Sequence, residues 1–212
     1  MAKEKNGAAG GISRRKFLKG MGGGVAGVAT LPHTGLLAEE TKKKILGAEA
    51  DTISGSNTIR LKINKQMRSV EVEPRTTLLS ALRENLELTG AKEVCDRGQC
   101  GACTVIIDGK AKLSCMTLAL DARDKEITTV EGLADGEELT ALQSEFAEKD
   151  ALMCGFCTPG FVMAGTALLQ QNPNPTMDEI KVGVSGNLCR CGTYPKVFEA
   201  IDAAAKTMKK GG

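Results

Sequence analysis

The sequence predicts an α+β protein in which a small sheet precedes a bundle of helices. Alternation of apolar and polar residues, which is typical of strands, is confined to residues 59–130. Helical periodicity dominates from residue 138 onward. The cysteines divide in the same way, since one group lies in a Gly-rich loop and the other near predicted helix starts. The predicted domains are therefore 58–133 and 134–212, preceded by a leader and linker over 1–57.

The leader predicts a twin-arginine export signal. Residues 13–19 (SRRKFLK) precede a short, apolar, Gly-rich stretch at 21–31. A basic region followed by a weak apolar region is typical of an export signal rather than a membrane anchor. Because the twin-arginine machinery carries folded proteins, the expected location is the periplasm. A chance Arg-Arg pair in a disordered tail is the competing interpretation.

The sheet is expected to begin with a hairpin. Apolar residues alternate with polar ones at 59–63 and again at 70–73, with a short polar turn between them. A helix over 78–86 follows, with four leucines on one face. Thr76 or Thr77 can cap this helix, because a threonine hydroxyl accepts from the first free backbone N–H groups.

A second hairpin and four helices complete the predicted fold. Residues 104–107 predict a strand, Asp108-Gly109 a tight turn, and the chain returns as a strand as far as Cys115. A last short strand is expected at 126–130. The predicted helices cover residues 138–149, 159–171, 177–184 and 196–209.

Charge and hydropathy exclude two classes of function. Residues 1–50 hold nine Lys/Arg and four Asp/Glu, whereas the rest of the chain holds 19 basic and 22 acidic residues. A mildly acidic body with a basic leader argues against binding to nucleic acid. No apolar run outside the leader reaches the length of about 18 residues that a spanning helix needs. The only histidine, His33, lies in the leader, so the mature chain has no imidazole to bind metal.

The first cysteine group has the spacing of a plant-type 2Fe–2S site. Cys95, Cys100 and Cys103 form a C-x4-C-x2-C run, and Cys115 follows on the predicted hairpin. The glycines between them let the chain curl, so that backbone N–H groups can face negatively charged sulfurs. The alternatives are disulfides or a structural zinc site, but such a zinc site usually shows two C-x-x-C pairs.

The second cysteine group is less specific. Cys154 and Cys157 form a C-x-x-C pair, and Cys189 and Cys191 form a C-x-C pair. A redox dithiol or a zinc site would also fit these residues. Both pairs precede predicted helix starts, which favour bound negative charge such as that of a thiolate-ligated 2Fe–2S cluster.

Three motifs together resemble the iron–sulfur subunit of the xanthine oxidase family of molybdenum hydroxylases. They are CDRGQCGAC at 95–103, CGFCTPG at 154–160 and GNLCRCGTY at 186–194, and the resemblance runs from about residue 58 to 206. It implies a β-grasp 2Fe–2S ferredoxin domain followed by an all-α four-helix 2Fe–2S-binding domain. The ligands it implies are Cys95, Cys100, Cys103 and Cys115 for the first cluster, and Cys154, Cys157, Cys189 and Cys191 for the second.

The resemblance also implies an electron-transfer subunit without catalytic residues of its own. In the family, electrons leave a molybdopterin-type molybdenum cofactor on a large partner subunit, close to the cysteine that matches Cys191. They pass through the two clusters to a flavin subunit with FAD or to an external acceptor such as a cytochrome. Aldehydes or nitrogen heterocycles are the implied substrates.

One residue departs from the family pattern. Family members usually carry a Gln that contacts the pterin where this chain has Met153, so that contact does not transfer to this chain. Simple core filling is the alternative role for this methionine.

Two other functions compete with the subunit hypothesis. One is a free-standing ferredoxin-like shuttle, although such a protein needs only the first cysteine group. The other is a zinc-stabilised interaction module, which iron content would exclude.

Overall fold

The computed structural model describes residues 53–210 of the chain. Residues 1–52, with the predicted twin-arginine signal and most of the predicted linker, lie outside the described residues. The strands are β1 (Asn57–Ile63), β2 (Gln66–Val72), β3 (Thr104–Ile107), β4 (Lys110–Leu113) and β5 (Glu126–Thr128). The helices are α1 (Leu78–Ser80, continuing as π-helical turns over Ala81–Asn85), α2 (Ala141–Glu148), α3 (Thr158–Gln171), α4 (Met177–Gly183) and α5 (Tyr194–Lys210). The predicted α+β class is therefore confirmed.

The five strands form one mixed sheet in the order β2-β1-β5-β3-β4. The neighbours β1 and β5 are parallel, and the other three pairs are antiparallel. Ile59, Leu61 and Ile63 of β1 point into a core that also contains Leu78 and Leu79 of α1. The alternation that predicted the strand thus separates a buried face from an exposed one, as the β-grasp expectation requires.

Both hairpins turn through residues with positive φ. Asn64 and Lys65 have φ angles of 50° and 66°, and Asp108 and Gly109 have 48° and 74°. Two consecutive left-handed residues match the twist of the flanking strands. The Asn64 side chain also accepts from the backbone N–H of Thr129 at 2.9 Å, which fastens this turn to the end of β5.

The helix α1 differs from the regular helix that the leucine pattern predicts. Thr77 caps it by accepting from the Ser80 N–H at 3.2 Å. The chain then widens, because the Leu86 N–H donates to the Ala81 carbonyl, five residues back, at 3.1 Å. Over so few residues α- and π-helical turns present similar leucine faces, so the pattern could not distinguish them.

All four predicted helices of the second half are present. Two begin with a capping box, in which Thr140 pairs with Gln143 and Thr176 with Glu179. Helix α3 lies at the centre, since Phe161 packs in the helical core while Met163 packs against Ile106 of β3. Because α3 is buried between sheet and helices, the position of its first turn is fixed from both sides.

The link between the two halves is a short segment. The sheet ends at Thr128 and α2 begins at Ala141, while the contacts unite the described residues 53–210 in one compact unit. The domain boundary between 133 and 134 stays a prediction. Within the described part of the chain, no helix is both long and apolar enough for a membrane crossing.

Candidate metal centres

The first cysteine group lies where a curled loop meets the end of the second hairpin. Cys95, Cys100 and Cys103 occupy the loop before β3, and positive φ angles of 75° at Gly98 and 72° at Gly101 let it curl. Cys115 was expected on the returning strand, but β4 ends at Leu113 and Cys115 lies in a 3-10 turn.

A turn after Ser114 explains this difference. The Ser114 N–H still donates to the Cys103 carbonyl at 3.3 Å, in register with the β3–β4 ladder, and its hydroxyl donates to the same oxygen at 2.7 Å. The chain then leaves the strand, because the Thr117 N–H donates to the Ser114 carbonyl at 3.4 Å and the Thr117 hydroxyl donates to the Leu113 carbonyl at 3.1 Å. Cys103 and Cys115 are both buried, and their thiols interact.

The four thiols of the first group form two pairs surrounded by backbone N–H groups. The Cys95 thiol interacts with that of Cys100, and the Cys115 thiol with that of Cys103. The Gln99 N–H donates to the Cys95 sulfur at 3.4 Å. Such N–H groups offset negative charge on sulfur, which is the arrangement that the glycines in the loop predicted.

The pKa values of these thiols show why a cation suits the group. Backbone hydrogen bonds, the strongest from Arg97, lower the pKa of Cys95 to about 6. Burial, together with the neighbouring Cys103 thiol, raises the pKa of Cys115 to about 12. Burial also raises the pKa of Cys100. Because close thiolates repel one another, a bound cation favours their ionised forms.

The second cysteine group lies at the start of α3 and just before α5. Cys157 is the N-cap residue of α3, and Cys191 precedes the first residue of α5 by three positions. The Cys157 thiol interacts with that of Cys189, and the Cys154 thiol with that of Cys191. Each pair therefore joins one cysteine of the C-x-x-C motif to one of the C-x-C motif.

Hydroxyl groups contribute to this second group. The Cys189 sulfur lies 3.1 Å from the Thr193 hydroxyl oxygen, and the Cys189 N–H donates to the Tyr194 hydroxyl at 2.8 Å. Burial opposes ionisation of Cys189, but the hydrogen bonds from Thr193 lower its pKa to about 7. Burial and the adjacent Cys189 thiol raise the pKa of Cys157 to about 12.

The paired arrangement suits a 2Fe–2S cluster. Such a cluster takes four thiolates, two on each of two separated irons. Both cysteine groups offer that donor set.

The two groups adjoin each other through the residues before Cys189. The Leu188 N–H donates to the Cys100 carbonyl at 2.9 Å. The buried Asn187 amide donates to the Gly101 carbonyl at 2.9 Å. The bond from Leu188 thus joins Cys100 of the first group to the residue that directly precedes Cys189 of the second group.

Two residues at this junction were not identified from the sequence. A side chain on Gly160 would collide with the Gly101 carbonyl, so α3 approaches the loop as closely as glycine allows. Asn187 is 6% exposed and fills the same junction. Both belong to recognised motifs, but only the fold brings them to the loop.

An apolar rim lies around the exposed thiols of the second group. We use this term for Leu152, Met153 and Phe156, which are 44%, 67% and 53% exposed and flank the exposed Cys154. Core filling by Met153 is therefore wrong, because its side chain lies at the surface. Exposed apolar residues that are close together are typical of a surface that binds another protein.

Comparison with known proteins agrees with this chemistry. Residues 61–134 match a family described as a 2Fe-2S iron-sulfur cluster binding domain. Residues 129–202 match a second family, described as a 2Fe-2S binding domain. Together the two matches cover the sheet from within β1, the helices α2, α3 and α4, and the first half of α5 as far as residue 202.

Relatives include subunits of several oxidoreductases. The aldehyde oxidoreductase iron-sulfur-binding subunit PaoA of Escherichia coli O157:H7 is 37% identical over 93% of this chain and 90% of its own length. The nicotine 6-hydroxylase small subunit of Paenarthrobacter nicotinovorans is 46% identical over 73% of this chain and 93% of its own length.

Solved structures show the same fold. A chain of quinoline 2-oxidoreductase from Pseudomonas putida 86 is 46% identical, with a TM-score of 0.71, over 74% of this chain and 99% of that one. Aldehyde oxidoreductase from Desulfovibrio desulfuricans is 36% identical, with a TM-score of 0.69, over 73% of this chain but 17% of that longer one. The similarity therefore covers one complete small chain and one part of a larger chain.

Proposed function

Because this chain belongs to the family of iron–sulfur subunits of xanthine oxidase-type enzymes, we propose that it conducts electrons through two 2Fe–2S clusters. The electrons come from a molybdenum cofactor on a partner subunit. The observation that carries this proposal is the presence of two groups of four paired thiols joined by a hydrogen bond.

Each cluster, when bound, supplies the uptake and release of one electron at a time. The protein holds the two clusters close to each other and places N–H and hydroxyl donors around their sulfur ligands. The ligands that we assign to the first cluster are Cys95, Cys100, Cys103 and Cys115. Those that we assign to the second are Cys154, Cys157, Cys189 and Cys191.

The second cysteine group is the proposed entry point for electrons. Cys154 and Cys191 are exposed, whereas Cys103 and Cys115 are buried. The apolar rim beside Cys154 gives a large molybdenum-binding subunit a surface to cover. The first group then delivers electrons to the acceptor, for which a flavin subunit with FAD and a cytochrome are the two candidates.

Aldehydes or nitrogen heterocycles are the proposed substrates of the complex. The relatives named above are subunits of an aldehyde oxidoreductase and of a nicotine hydroxylase. We favour aldehydes because the aldehyde oxidoreductase subunit aligns over 93% of this chain, against 73% for the nicotine hydroxylase subunit.

The proposed location is the periplasm, reached through the twin-arginine machinery. Replacing both Arg14 and Arg15 with Lys should leave this chain and its partner in the cytoplasm, as cell fractionation and immunoblotting would show. Arg60→Lys combined with Arg75→Lys, two exposed sites in the folded body, is the matched control and should be exported. Normal export of the Arg14/Arg15 variant would contradict this route.

Purification of the native protein through a C-terminal tag tests the partnership. A complex with a large subunit that contains molybdenum, together with about four irons in this chain, is the expected result. A monomer with about four irons and no molybdenum would instead identify a free-standing shuttle. A colourless protein loaded with zinc would contradict the electron-transfer function altogether.

A further inference from the structure

The hydroxyl of Thr158 is shielded from solvent but has no hydrogen-bond partner. Of all side-chain nitrogen and oxygen atoms within residues 53–210, it is the one buried atom without a partner. A buried hydroxyl that forms no hydrogen bond costs about 1–3 kcal/mol. Buried polar groups therefore nearly always have an acceptor or donor nearby.

The position of Thr158 points to the missing acceptor. It directly follows Cys157 and is the first residue of α3. A threonine hydroxyl in a helix can donate to the carbonyl three or four residues before it, but the Thr158 hydroxyl makes no such bond. Within residues 53–210, the protein itself supplies no acceptor for this hydroxyl. The cluster assigned to Cys157 would supply one.

We infer that Thr158 donates a hydrogen bond to a sulfur atom of the second cluster and thereby raises its reduction potential. The inference rests on the proposed function, because it requires a cluster on Cys154, Cys157, Cys189 and Cys191. A donor to sulfur stabilises the reduced state more than the oxidised one, since reduction adds negative charge. Thr158 is thus a tuning residue rather than a catalytic one.

A second hydroxyl supports this assignment. Thr193 lies 3.1 Å from the Cys189 sulfur, so a threonine already contacts the other thiol of the Cys157–Cys189 pair. Thr158 directly follows Cys157 at the start of α3, and Thr193 directly precedes α5. Together they would hold the second cluster at a higher potential than the cysteines alone.

Redox titration of the intact protein, followed by EPR, tests the inference. Thr158→Val keeps the branched shape but removes the hydroxyl, whereas Thr158→Ser keeps the hydroxyl. We expect Thr158→Val to lower the equilibrium constant for one-electron reduction of the second cluster about threefold to tenfold. A tenfold decrease corresponds to a fall of about 59 mV in the reduction potential. Thr158→Ser and the control Thr166→Val, two turns further along α3, should titrate like the wild type.

The outcomes separate this inference from the function on which it rests. A Thr158→Val protein with both clusters and an unchanged second potential would overturn the inference, leaving an ordered water as the partner. A wild type without a second cluster would overturn the proposed function instead. If Thr158→Val fails to assemble the cluster, Thr158→Ala leaves more room and is titrated in its place, with the same expected fall.

Discussion

The two cysteine groups have the same number of thiols but are built in different ways. Three of the first four cysteines lie within nine residues of one loop, and backbone N–H groups of that loop surround their sulfurs. The second group joins two motifs that are about thirty residues apart, and side-chain hydroxyls contact it. The first site is therefore largely local, whereas the second depends on how α3 and α5 pack.

The difference also separates the proposed roles of the two sites. Burial of Cys103 and Cys115 protects the first site, while exposure of Cys154 and Cys191 opens the second to a partner. The junction through Asn187 and Leu188 keeps the two together. A local site and a packed site should respond differently to damage, and this difference can be measured.

The largest effect is expected when a ligand is removed. Cys100→Ser should abolish the EPR signal of the first cluster and leave the second, and Cys157→Ser should do the reverse. Each variant should retain about half of the wild-type iron. Loss of the same signal in both variants would contradict the assignment of two independent sites.

Removal of a core side chain should damage the second site selectively. Phe161 is fully buried in α3, four residues after Cys157. Phe161→Ala should lower the free energy of unfolding by about 3–5 kcal/mol and reduce occupancy of the second cluster more than the first. Val182→Ala, at an apolar residue of α4 that is 73% exposed, is the control and should change stability by less than about 0.5 kcal/mol. Chemical denaturation and EPR measure both effects, and equal loss of the two clusters would argue against a separate packed site.

A side chain added at Gly160 should destabilise the junction between α3 and the loop of the first cysteine group. Gly160→Ala forces a methyl group against the Gly101 carbonyl and should cost about 1–3 kcal/mol of stability. Because the loop and α3 must separate, both EPR signals should broaden or shift. Gly186→Ala, at a position with no atom within 4 Å of the added group, should leave both unchanged. Unaltered spectra in Gly160→Ala would show that the loop and α3 do not need this close approach.

Loss of the Asn187 amide should have the smallest effect. Asn187→Ala leaves the Gly101 carbonyl without one donor, although the Thr104 hydroxyl still donates to it at 2.6 Å. The expected cost is about 1 kcal/mol, with slower electron transfer between the clusters in rapid-freeze EPR. Asn85→Ala, at an exposed asparagine, serves as the control. Electron transfer at the wild-type rate in Asn187→Ala would show that Asn187 does not contribute to transfer between the two clusters.

Much of this organisation could be predicted from the sequence, because periodicity and spacing are local properties. The strand alternation at 59–63, the Asp108-Gly109 turn and the four helices each followed from a few consecutive residues. The division of the cysteines into two groups followed from motif spacing in the same way. Local pattern therefore predicted the elements and the composition of each group.

Features that depend on the fold could not be predicted. The pairing of Cys157 with Cys189 rather than Cys154 arises because the first turns of α3 and α5 pack together, with the Phe161 and Tyr194 ring centroids 6.0 Å apart. Cys115 lies beside Cys103 because Ser114 binds the Cys103 carbonyl and so extends the pairing of β3 with β4. The shielded hydroxyl of Thr158 is visible only once the surrounding chain is packed. Each of these features needs atoms from distant parts of the sequence.

Metal analysis combined with spin counting on the fully reduced protein, purified without oxygen, tests the central claim most directly. Two paired-thiol sites predict about four irons and about two unpaired spins per chain, in two distinguishable EPR signals. Zinc in place of iron, or about two irons with a single signal, would contradict the account.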